Sequence, residues 1–91
     1  MARLVEDDRF EGGVEKDWLI ERNKWTRFRI KYYKDEDEES ITIKREELLR
    51  GEDDIVKSVL VRDVIILYDN EINEFFEVLE QIKKERDGRG E

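Results

Sequence analysis

Residues Asp17 to Tyr33 read DWLIERNKWTRFRIKYY, two alternating segments on either side of Asn23, Lys24 and Trp25. Thr26 to Tyr33 alternates strictly, so Phe28, Ile30 and Tyr32 fall on one side of a strand and Arg27, Arg29, Lys31 and Tyr33 on the other. Asp17 to Arg22 is its natural hairpin partner, and the length of the loop sets which residues lie opposite one another. A two-residue loop, Asn23-Lys24, places Trp18 opposite Arg29 and leaves Asp17 and Glu21 against Ile30 and Thr26. A three-residue loop, Asn23-Lys24-Trp25, places Glu21 opposite Arg27, Asp17 opposite Lys31, and Trp18 and Ile20 opposite Ile30 and Phe28. The second register gathers apolar side chains on one face and opposite charges on the other, so two independent preferences agree on it. It predicts a hairpin closed by Asn23 or a neighbour in a left-handed conformation. The basic face then becomes a charge-paired solvent face, each exposed pair contributing about 1 kcal/mol or less. Arg29, opposite Leu19, is the one cation left without an obvious partner.

The segments around this hairpin extend the same pattern. Leu4 and Val5 mark a candidate short strand before the turn signal Gly12-Gly13, and residues 1–13 are otherwise the least defined. After the acidic knot DEDEE, Ser40 to Lys44 alternates as a further strand, with Ile41 and Ile43 facing one way. Arg45 to Arg50 reads as a helical turn ended by Gly51. Asp54 to Tyr68, DIVKSVLVRDVIILY, is rich in β-branched residues and predicts two short strands, about Ile55–Val61 and Val64–Tyr68, with a short helix over residues 53–60 as the competitor. The last element is helical: Ile72, Phe75, Phe76, Leu79 and Ile82 form one apolar stripe, Asp69 or Asn70 can cap it, and acids lead while Lys83, Lys84 and Arg86 follow. Two phenylalanines on that stripe predict a lid over the sheet's core, with Phe76→Ala costing about 3 to 5 kcal/mol.

The chain has 91 residues, enough for one domain, over residues 1–87, with 88–91 as a frayed tail. The predicted fold class is α+β: a small antiparallel sheet of four to six short strands, flat or strongly bent, packed against one C-terminal amphipathic helix. In element order this is similar to the strand-and-helix unit of single-stranded-DNA-binding transcription coactivators and to the pleckstrin-homology-like roll. No motif residue accompanies either similarity, so neither assigns a site.

Charged residues make up 48% of the chain, 26 acids against 18 Lys and Arg, for a formal net charge of -8. Both signs are interspersed, and Cys and Pro are absent. The mixture resembles the surface ion-pair composition of proteins from hot-growing organisms, from which the missing Pro departs. The acidic balance opposes generic attraction to nucleic acid or anionic membrane. The start, MARLVEDDRFEGG, lacks the apolar core of a signal peptide, and the longest apolar run, Val64 to Tyr68, is far short of a bilayer about 30 Å thick. The expectation is a cytoplasmic protein without a membrane partner.

With no His and no Cys, the usual general base near neutral pH and the thiol nucleophile are missing, and no hydroxyl sits in a nucleophile-elbow or phosphate-loop context. The chain is therefore expected to be non-catalytic and without a cofactor. Asp35, Asp37, Glu39 and Glu46 fall at positions 1, 3, 5 and 12 of a calcium loop, but Ser40 replaces the turn glycine and SITIK is a strand within it, so a solvated hairpin tip is the better reading.

What remains as a candidate contact set is Trp25, Arg27, Arg29, Lys31, Tyr33 and Lys44. Cations interleaved with aromatics are what stacking of single-stranded bases and phosphate attraction require. The expected role is a protein-interaction or structural module, acting with a protein partner or as a homodimer, with single-stranded nucleic-acid binding through that face as the alternative.

Overall fold

The computed structural model describes residues 2–88, which leaves most of the expected frayed tail outside the described residues. Five antiparallel strands follow one another in the sheet in chain order: β1 (Ala2–Phe10), β2 (Gly13–Glu21), β3 (Thr26–Lys34), β4 (Glu39–Arg50) and β5 (Val56–Tyr68). One helix, α1 (Asn70–Asp87), completes the order, and the sheet is not closed. Sheet and helix together measure 46 × 45 × 20 Å. No helix among the described residues is long and apolar enough to cross a membrane.

The predicted β2–β3 register is the one adopted: Glu21 lies opposite Arg27, Asp17 opposite Lys31, Trp18 opposite Ile30 and Ile20 opposite Phe28. Its loop closes differently from expectation. Neither Asn23 nor its neighbours has positive φ. Instead the Asn23 carboxamide oxygen accepts from the Trp25 and Thr26 backbone N–H groups, at 2.8 and 2.9 Å, so a side chain supplies the bend.

Three other expectations are corrected. The N-terminal segment is a full nine-residue strand, β1, turning back at Gly12 (φ 82°), while Gly13 lies so close to the Phe10 ring and the Lys34 carbonyl that no side chain fits. Arg45 to Arg50 is no helical turn but the continuation of β4, because Glu46 to Arg50 have strand partners from Val61 back to Val56. The two short strands expected between Ile55 and Tyr68 are one 13-residue strand, β5, and the suggested break is a bulge in which Arg62 is the extra residue between Val61, opposite Glu46, and Asp63, opposite Arg45.

The sheet has two chemically different faces. On one, Trp18, Ile20, Phe28, Ile30, Ile41, Ile43, Ile65 and Leu67 align across β2 to β5. Helix α1 starts against this apolar face and buries Ile72 to 2% exposure, while Ile41 is buried beneath. The helix is a smaller lid than its stripe predicts. Its main approach to the sheet is at β5, and Phe76, Leu79 and Ile82 are 52%, 43% and 56% exposed. Between Phe75, Phe76 and Leu79 on the helix and Trp18, Ile30 and Ile43 on the sheet lies an open apolar cleft of about 410 Å³.

Asp69, at the N-cap, makes no side-chain capping bond; its carboxylate accepts from the Glu39 N–H at 3.3 Å, and its own N–H donates to the Glu39 carbonyl at 3.1 Å. The helix is thus tied to the head of β4 at its first residue only.

Candidate functional site: the charged face of the sheet

The opposite face carries Glu15, Asp17, Leu19 and Glu21 from β2, Arg27, Arg29, Lys31 and Tyr33 from β3, and Thr42, Lys44, Glu46 and Leu48 from β4. It is not the plain solvent face that alternation predicts. Asp17, Leu19, Glu46 and Leu48 are all buried, at 4 to 5% exposure, although among the described residues no second layer of structure lies over them. Their cover is the sheet itself and the long side chains beside them, whose aliphatic stems shield neighbours while the heads reach for charge.

Arg29, expected to lack a counter-charge, is the best-paired cation of the face. Its guanidinium donates to Asp17 at 2.9 Å, and Nε lies 3.4 Å from Glu46. Burial works against its charge, but the hydrogen bonds and fields of Asp17 and Glu46 outweigh it and hold its pKa above the ordinary value. Straight across the ladder from Arg29 stand only Leu19 and Lys44. Long side chains reach diagonal neighbours equally well, and that is where both carboxylates stand.

Arg27 and Lys31 also take other partners than expected. Arg27 donates at 2.7 Å to Glu46, directly opposite on β4, while Glu21, opposite on β2, accepts from Arg3 of β1 at 3.1 Å. Lys31 meets Glu15 at 3.0 Å instead of Asp17, and the hydrogen bond from Lys31 to Glu15 raises the lysine's pKa. Lys44 alone among the four candidate cations has no ion pair within the described residues. With Arg29, Lys31 and Thr42 it borders a hollow of about 320 Å³ whose other wall is Val64 and Ile66 of β5.

The two aromatic candidates are not part of this arrangement. Trp25 lies in the β2–β3 loop, 47% exposed, with the Lys24 ammonium 4.8 Å from its ring centre. Tyr33 is at the other end of β3, about 26 Å away at the rise of an extended strand. Its ring stacks on Phe10 at 6.0 Å, and its hydroxyl donates to Asp35 at 2.6 Å. Asp35 also accepts from the Asp37 and Glu38 N–H groups, so this acid is engaged in closing the β3–β4 tip. The structure therefore brings Arg27, Arg29, Lys31 and Lys44 together, keeps Tyr33 at the end of the same face with its ring on Phe10, leaves Trp25 apart in the loop, and gives three of the four cations to carboxylates.

A second surface was not anticipated. On β5, Val59, Leu60, Val61, Val64, Ile65, Ile66 and Tyr68 are 39 to 55% exposed, and Phe76, Val78, Leu79 and Ile82 of α1 lie at 43 to 56%. The signal was present in SVLVRDVIILY, where apolar residues occupy both parities. Such a run suits a strand covered on both faces and paired on both edges, yet β5 is the last strand of the sheet. Comparison with protein-family models, curated proteins and solved structures finds no match to this chain.

Proposed function

We propose that this chain is a non-catalytic protein-interaction module that works through the apolar surface of β5 and α1. The observation that carries the reading is where the apolar residues go: four hydrophobic side chains are buried, while eleven large ones on these two elements are at least 39% exposed. Contiguous apolar exposure beyond a few hundred Å² is uncommon on a protein that works alone. The strong acidity of the rest of the chain keeps such a surface soluble and discourages anionic partners.

The neutralisation of Arg27, Arg29 and Lys31 by Glu46, Asp17 and Glu15 weighs against nucleic-acid binding through the charged face. The test is a pull-down with the wild-type chain and with an Ile65→Lys/Phe76→Glu variant, alongside fluorescence polarisation with single-stranded oligonucleotides at low salt. The module reading expects a partner, either another protein or a further copy of this chain, that the variant loses. Oligonucleotide binding abolished by Lys44→Glu, with no protein captured, would replace it by the nucleic-acid reading.

A further inference from the structure

The two edges of the sheet are treated very differently. Edge strand β1, ARLVEDDRF, presents five charged residues in nine, which discourages further pairing. Edge strand β5 is 13 residues long and apolar on both faces, with only Lys57, Arg62 and Asp63 charged. Nothing among the described residues pairs with its outer edge. An unprotected apolar edge of this length is a template for another strand.

The geometry points to a second copy of this chain as the occupant, pairing antiparallel with β5 across a two-fold axis between Arg62 and Asp63 and joining two five-stranded sheets into one. This inference rests on the interaction-module reading and names the partner. Its support is the self-complementarity of the strand. A two-fold axis perpendicular to the sheet keeps every side chain on its own face, and opposed residues of an antiparallel pair share a face.

The bulge at Arg62 exchanges the faces along β5. Leu60 shares the helix side with Ile65 and Leu67, while Val59 and Val61 share the charged side with Val64 and Ile66. Residues before the bulge must therefore meet residues after it. One register satisfies both faces: Val61 opposite Val64 of the second copy, Leu60 opposite its Ile65 and Val59 opposite its Ile66, with Arg62 and Asp63, already paired with Glu47 and Arg45 of their own chain, meeting at the axis. A shift of one residue sets Val61 against Ile65 from the wrong face, and a shift of two sets Asp63 against Leu60 or Arg62 against Ile65.

A strand laid along this edge covers the flank of each of the seven exposed apolar residues of β5 and takes up the free backbone groups of the edge. The same axis places both α1 helices on one side of the joined sheet.

Sedimentation equilibrium tests the pairing directly, with a mass twice the 11.1 kDa of one chain expected at micromolar concentration. A Val61→Lys/Ile65→Lys variant, its fold checked by circular dichroism, is expected to weaken association at least a hundredfold. Because the chain contains no cysteine, the register can be read separately by single replacements. Mixed Val61→Cys and Val64→Cys chains should form an inter-chain disulfide on mild oxidation, since opposed residues lie about 4.5 to 5.5 Å apart at Cα. Each variant alone should not, its two cysteines being about 10 Å apart along the seam.

A dimer that persists in the lysine variant, or that cross-links through Val61→Cys alone, overturns this pairing. A monomeric chain that still loses a captured protein partner on Ile65→Lys/Phe76→Glu overturns the homodimer but not the interaction module. A monomer that captures nothing overturns both.

Discussion

Glu46 shows how much one side chain can carry on this face. At 5% exposure it receives Arg27 at 2.7 Å and Arg29 at 3.4 Å, while Arg29 is shared with Asp17, one of whose carboxylate oxygens is buried without a partner. Replacing Glu46 with Ala leaves the partly buried Arg27 guanidinium without its carboxylate and Arg29 with Asp17 alone. Breaking a buried pair from one side costs about 3 to 5 kcal/mol, and urea unfolding of Glu46→Ala should show a loss of that order. A loss below 1 kcal/mol would mean that water replaces the carboxylate at no great cost.

The tyrosines make a second test at this scale. Tyr32 donates to Glu39 and Tyr33 to Asp35, both at 2.6 Å, and those hydrogen bonds to carboxylates push both phenols up to about 12. The proton is held more tightly in the folded chain than in the unfolded one. Stabilisation from these bonds is therefore complete below the ordinary value of 10.0 and is lost as the pH climbs through about 12. In a phenolate absorbance titration, Glu39→Ala should return one of the two late-ionising tyrosines toward 10.0, and an unaltered titration would refute the Tyr32 to Glu39 bond.

Among the elements, the helix is where sequence pattern and packing part. Its stripe was legible from spacing alone, as were the β2–β3 register and the α+β class, because a period of 3.6 or 2 and the need to segregate apolar residues are local facts. What the stripe packs against is not local. Ile72 is buried and Phe76 half exposed, two turns of the same stripe in different surroundings, because Asp69 ties only the first turn to β4.

Ile72→Ala should cost about 2 to 5 kcal/mol, and Phe76→Ala about 1 kcal/mol in dilute protein, the reverse of what ring size suggests. Thermal melts of the two variants decide this, and a larger loss for Phe76 would mean that the helix closes down on the cleft. The charged face was legible in its residues but not in its pairing, since Arg29 and Lys31 reach carboxylates diagonal to them and Arg27 takes the one opposite it on β4, a strand whose residues from Arg45 on did not read as part of the sheet. The length of β5 was hidden for a related reason: Arg62-Asp63 looks like an interruption in the alternation, whereas a bulge carries the strand through it with the faces exchanged.

For the whole molecule, net charge and apolar burial pull on association in opposite directions, and salt separates them. Each chain carries -8, whereas β5, with Lys57 and Arg62 against Asp63, carries only +1. Two chains meeting edge to edge through β5 bury apolar side chains at a seam while their acidic bodies repel. Added salt screens the bodies, with a Debye length falling from about 30 Å at 0.01 M to 3 Å at 1 M, and leaves the apolar contribution in place. The ion pairs of Arg62 with Glu47 and Asp63 with Arg45 beside the seam are weakened too, but exposed pairs of this kind contribute about 1 kcal/mol or less each. The dimer should therefore tighten as salt rises, by several-fold between low and high ionic strength. Nucleic-acid binding through Lys44 and its neighbours would respond in the opposite sense, losing affinity as released counterions become less favourable to release. Sedimentation across a salt series measures the sign, and a dimer that dissociates as salt is added would place ion pairs, not the apolar edge of β5, at the centre of the interface.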